Sequence, residues 1–231
     1  MHLRIKLVFA AFIALALVAA RGAYAAPQED LNSVLRRLDA AAAGFHSTSA
    51  DFEFDAVQTD PVYNKDIDKG TVYYKRSGKA FQMAAHIREE NGKPVPKVLI
   101  FSDGKFTLYE KLTDEVHVRD AAKYESYLPL VGQLRADKWE IKYLGSETLK
   151  DGKTAIATEK LELLAKDPDV RKLFPKVTIW VDPARAVSLM QVFDEGQGQS
   201  RTCLYFNIKL NPAIPDSDFT FKPDSQTKTV K

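Results

Sequence analysis

One cysteine among 231 residues, Cys203, excludes an internal disulfide, so the chain must be held by a core alone. The same scarcity removes a Cys-x-x-Cys pair and every multi-thiolate zinc site. Four histidines, His2, His46, His86 and His117, stand in separate segments without metal-ligand spacing, and each is expected to have a surface or structural role. Also missing are a glycine-rich phosphate loop, a Gly-x-Ser-x-Gly elbow and a His-Glu-x-x-His helix. Charge of one sign is lacking too: 33 basic residues face 31 acidic ones, a net of +2. Nucleic-acid binding thereby loses its main electrostatic support. These absences leave no argument for an enzyme, a metal or a cofactor.

What is present begins with Arg4 and Lys6, followed by an unbroken apolar run from Leu7 to Ala20 and the small-residue step Ala23-Tyr24-Ala25. That pattern predicts a secretory signal over 1–25, removed on export. The run falls short of the roughly 20 residues that span a bilayer, and no later stretch matches it. A lipid anchor is not expected, since no cysteine stands at the cleavage point. Without Arg4, Lys6 and Arg21 the chain keeps 30 basic residues against 31 acidic, a net of about −1. Residues 26–222 are expected to form one domain, with a disordered tail over 223–231.

Along the chain, Asp30 can cap a helix in which Leu31, Val34, Leu35, Leu38, Ala41, Ala42 and Phe45 recur at three and four residues. From Ala50 the period becomes two. About eleven alternating runs follow, most joined by turn dipeptides such as Asn91-Gly92, Asp103-Gly104 and Asp151-Gly152. Crossover helices are missing between nearly all of them, so the fold class is α+β with a strongly curved antiparallel sheet. Two further short helices are predicted, over Tyr124 to Leu134 and over 166–174. Sign-alternating runs such as KDIDKG at 65–70 read as solvated faces.

The apolar inventory along this curl is large: Phe52, Phe54, Tyr74, Phe81, Met83, Leu99, Phe101, Phe106, Leu108 and Trp139 among others. An ordinary core under the helices is one outcome. Three short helical segments are little to fill so wide a sheet, which points to a remaining cavity. In GTVYYKRSGK at 70–79, the local sequence leaves Arg76 open to an anion contact, a structural contact or a solvated turn.

The order of signal, helix, the Asp51-Phe52 strand, GTVYYKRSGK, IFSDGKFTLYE at 100–110, the DEGQGQ turn at 194–199 and FNIKLNPAIPDSDFTFKP at 206–223 resembles the LolA family of periplasmic lipoprotein-sorting chaperones. The resemblance covers nearly the whole chain after residue 25. It implies an incomplete barrel of about eleven strands whose open side is covered by helices, and a monomeric periplasmic carrier without a cofactor. Its cavity would take lipoprotein acyl chains from an inner-membrane complex and pass them to an outer-membrane receptor. By that resemblance the cavity is expected at the residues just named, together with Tyr127, Leu128 and Val131 of the lid, and Arg76 is the latch that bonds the lid's backbone. The family often has Pro after that Arg, where Ser77 stands here, which leaves the register of the wall open. A carrier or sensor of another lipid, a structural module and an unrecognised hydrolase are the rival readings.

Overall fold

The computed structural model describes residues 30–77, 80–123, 134, 137–223 and 226–230. Helix α1 (Leu31–Ala43) starts where the sequence predicts, with the Asp30 carboxylate accepting from the Ser33 N–H at 2.7 Å. Its buried residues Val34, Leu38 and Ala42 recur every four positions, one stripe of the helix. The helix expected over Tyr124 to Leu134 lies outside the described residues, Leu134 apart.

Strands β1 (Ser47–Gln58), β2 (Asn64–Ser77), β3 (Ala80–Glu90), β4 (Lys93–Ser102), β5 (Lys105–Glu110) and β6 (Glu115–Asp120) form one meander. Strands β7 (Trp139–Asp151), β8 (Thr154–Ala165), β9 (Lys176–Asp182), β10 (Val187–Gly196) and β11 (Gln199–Leu210) form a second, with the short helix α2 (Pro168–Leu173) between β8 and β9. These are the eleven predicted strands. A twelfth, β12 (Lys228–Val230), pairs in parallel with β6, so this part of the tail is ordered by the otherwise unpaired edge of β6 rather than disordered. The full order is β12-β6-β5-β4-β3-β2-β1-β11-β10-β9-β8-β7, a single unclosed sheet.

Turn chemistry explains the tight connections. Asn91 and Gly92 sit at φ 51° and 76°, and Asp103 and Gly104 at 51° and 69°, the left-handed pairs that two-residue hairpins require. Gly70 serves a different purpose within β2. A Cβ there would lie 2.1 Å from the His86 carbonyl oxygen and 2.9 Å from the Phe52 ring, so only glycine lets that ring lie across the strand.

The two meanders join at β1 and β11, where Phe52 faces Tyr205 and Phe54 faces Cys203. Residues directly opposite share a face, which separates the sheet's inner and outer sides. On the inner side α1 packs over β7–β9, burying Val34 and Leu38 among Trp139, Leu161, Leu163, Val177 and Ile179. Over β1–β5 and β11 the inner side holds a second apolar group, with Phe52, Val72, Tyr74, Met83, Phe101 and Tyr205 buried.

The outer side of β2–β5 is covered by the chain after β11. Phe219 packs on Ala84 and Ile100, the Phe221 ring stacks on Tyr109 with centroids 4.9 Å apart, and His86 Nε2 lies 2.7 Å from the Asp218 carbonyl oxygen. This segment acts as a strap between β11 and β12, and His86 has the structural role expected of it.

Candidate functional site

The inner side over β1–β5 and β10–β11 is not filled by its own side chains. A cavity of about 270 Å³ remains, lined by Phe52, Phe54, Asp68, Val72, Tyr74, Met83, Ala85, Ile87, Leu99, Phe106, Gln191, Phe193, Cys203 and Tyr205. For scale, a cavity of roughly 150 Å³ lined by apolar groups stays dry and binds benzene. At about 30 Å³ for a water-sized group, the space here corresponds to roughly nine such groups.

Six of the residues expected to form the cavity line it, namely Phe52, Phe54, Tyr74, Met83, Leu99 and Phe106. Phe101 and Phe81 share the inner face but do not line the cavity, with Phe101 fully buried and its ring centroid 5.2 Å from Phe81 and 5.0 Å from Phe106. Leu108 is half-buried opposite Leu99 and does not reach the cavity. Trp139 lies at the far edge of the sheet, in the group packed beneath α1. Tyr127, Leu128 and Val131 lie outside the described residues.

Arg76 stands near the end of β2 in an exposed position. Its backbone N–H donates to the His46 carbonyl at 2.8 Å, and its guanidinium carbon lies 5.6 Å from the centre of the Phe45 ring, just beyond the C-terminus of α1.

Sequence reasoning missed several lining residues. Cys203 and Tyr205 face inward, whereas Leu204 and Phe206, of the opposite parity, are less buried. The Tyr205 hydroxyl is hydrogen-bonded to Tyr74 and to the Cys203 thiol. Burial pushes Cys203 up to about 12 and raises both tyrosines well above their ordinary value, so this polar cluster stays uncharged. Asp68, expected on a solvated face, is in the wall instead. Its carboxyl is raised first by burial and then by the charge of Glu90, with Lys97 opposing.

Beyond Asp68 the inner face ends in a charged rim. Lys97 Nζ lies 2.8 Å from Glu90 and 3.3 Å from Glu110, and His117 Nε2 lies 3.4 Å from Glu110 and 3.7 Å from Glu115. Glu110, Glu115 and His117 bring their ligand atoms within 4.8 Å of one another, a grouping with metal-ligand chemistry in which Lys97 already neutralises Glu110. A larger hollow of about 540 Å³ lies around Asp51, Thr71 and Asn207, but its polar groups bond one another: Asp51 accepts from Thr71 at 3.0 Å and from Asn207 at 2.9 Å. The apolar cavity is therefore the better candidate. No helix among the described residues is long and apolar enough to cross a membrane.

No family model and no curated protein matches the chain. Among solved structures, an uncharacterized conserved protein from Thermus thermophilus matches with a TM-score of 0.52 and 11% identity, over 86% of this chain and 97% of that one. A putative outer membrane lipoprotein-sorting protein domain from Vibrio parahaemolyticus has a TM-score of 0.46 and 11% identity, over 80% and 94%. A LolA superfamily protein from Nitrosomonas europaea has 0.41 and 14%, over 82% and 97%. The likeness to the Thermus protein is one of fold.

Proposed function

We propose that this protein is an exported, non-enzymatic carrier that shields acyl chains from water in the cavity between β1–β5 and β10–β11. The observation that carries this reading is the unfilled apolar space of about 270 Å³, left where α1 packs over the other half of the inner face. At about 0.8 kcal/mol per buried methylene, roughly nine of them contribute about 7 kcal/mol before ordering costs. Such a complex holds its cargo and still releases it. In this reading residues 1–25 are the export signal, 26–222 the carrier domain, helices cover the open side, and the cargo is a lipoprotein passed between membrane partners.

Arg76 belongs to the same reading as the latch of the covering segment. A guanidinium offers five donors, and the C-terminus of α1 beside it favours a cation. Latch bonds that hold the empty state closed must be displaced by cargo, so part of the acyl binding energy is offset by their loss. The test is calorimetric titration of delipidated protein with dodecyl maltoside below its micelle concentration, alongside mass spectrometry of what copurifies. Saturable one-to-one binding supports the carrier. An absence of both binding and copurified lipid refutes it.

A further inference from the structure

We propose that the cavity selects amphiphiles whose polar end is uncharged or cationic and rejects anionic head groups, with Asp68 as the selecting residue. This rests on the carrier reading above and names its ligand class.

Asp68 is the one carboxylate or cationic side chain among the described residues lining the cavity. The tyrosines and the thiol of that wall remain neutral through burial. Among the described residues no hydrogen bond or ion pair engages the half-buried Asp68 carboxylate, and Glu90 stands directly opposite it on β3. Two like charges facing each other across a strand pair are destabilising, and a carboxylate partly withdrawn from water without a donor adds to that cost. The nearby cation, Lys97, is drawn to Glu90 and Glu110.

An acyl chain in the cavity brings its polar end within range of this unpaired carboxylate. An ammonium group there supplies the missing partner, and a hydroxylated head group can donate to the carboxylate. A carboxylate, sulfate or phosphate head adds a further negative charge beside Asp68 and Glu90, where the partly desolvated setting strengthens the repulsion.

Three amphiphiles with the same twelve-carbon tail test this at pH 8, below their micelle concentrations: dodecyltrimethylammonium, dodecyl maltoside and dodecanoate. For wild type, the cationic ligand is expected to bind at least about tenfold tighter than dodecanoate, with the maltoside between them. Asp68→Asn should bring dodecanoate to within about threefold of the cationic ligand, and Glu90→Gln should shift the ratio in the same direction. Maltoside, which carries no charge, should change by less than about threefold in both, and a cooperative urea transition at the wild-type slope checks that each variant is folded. If maltoside binds but the charged ligands bind alike, or their ratio survives both substitutions, head-group selection by Asp68 is wrong while the carrier reading stands. If none of the three binds wild type, both fall.

Discussion

Ala85→Leu separates an unfilled interior from a filled one by the sign of its effect. Ala85 lies on β3 between Val72 and Leu99, is 9% exposed, and lines the cavity. The substitution adds three carbons, which at about 0.8 kcal/mol each stabilise the fold by up to about 2 kcal/mol if they enter empty space. In a close-packed core the same change overpacks and costs about 1–3 kcal/mol. Urea unfolding at constant slope reads the difference directly. The added carbons also occupy space meant for cargo, so dodecyl maltoside should bind roughly 30-fold more weakly, the equivalent of about 2 kcal/mol. A variant destabilised by about 1 kcal/mol or more, with ligand binding intact, would show that the cavity is not available space.

Phe101→Ala, at a fully buried ring of the inner face, should cost about 3–5 kcal/mol in urea unfolding. Arg76→Leu should unfold within about 1 kcal/mol of wild type, because its contact over Phe45 is exposed; the latch reading expects it to accumulate lipid-loaded protein and transfer poorly, and normal transfer would remove Arg76 from the mechanism. Burial alone would raise Glu159, but bonds from Tyr143, Ser146 and Arg37 outweigh it and hold its carboxyl below the ordinary 4.5. Its contribution is therefore present above pH 4.5 and lost as pH falls through the lower folded-state value, so Glu159→Gln should cost about 1–2 kcal/mol at pH 7 and progressively less on acidification. A difference that stays constant from pH 7 to about pH 3 would contradict this. Asp30→Ala should cost about 1 kcal/mol in the same unfolding assay, through loss of the cap on α1.

The strands were legible because their turns are. Asn91-Gly92 and Asp103-Gly104 carry the left-handed backbone that short hairpins need, whatever surrounds them. Helix α1 was legible from its cap and its four-residue stripe. Strand β12 was not, because Lys228-Thr229-Val230 gains order only from the edge of β6, more than a hundred positions earlier. Parity failed in β11, where apolar residues occupy both faces and pairing with β1 alone decides that Cys203 and Tyr205 point inward. Trp139 has the size of a cavity residue, yet the order of the sheet puts it at the opposite edge. Asp68 was hidden by its neighbours, since a charge in KDIDKG looks solvated until the facing strands are known.

The join between β1 and β11 has a kinetic consequence. Each meander can zip up from neighbouring hairpins, but the central seam pairs Phe52 with Tyr205 and so waits until almost the whole chain has been synthesised. Such distant pairings slow folding, and until they form both seam strands present open edges to other molecules. A chain cut short before Gln199 would hold two half-sheets with no common spine.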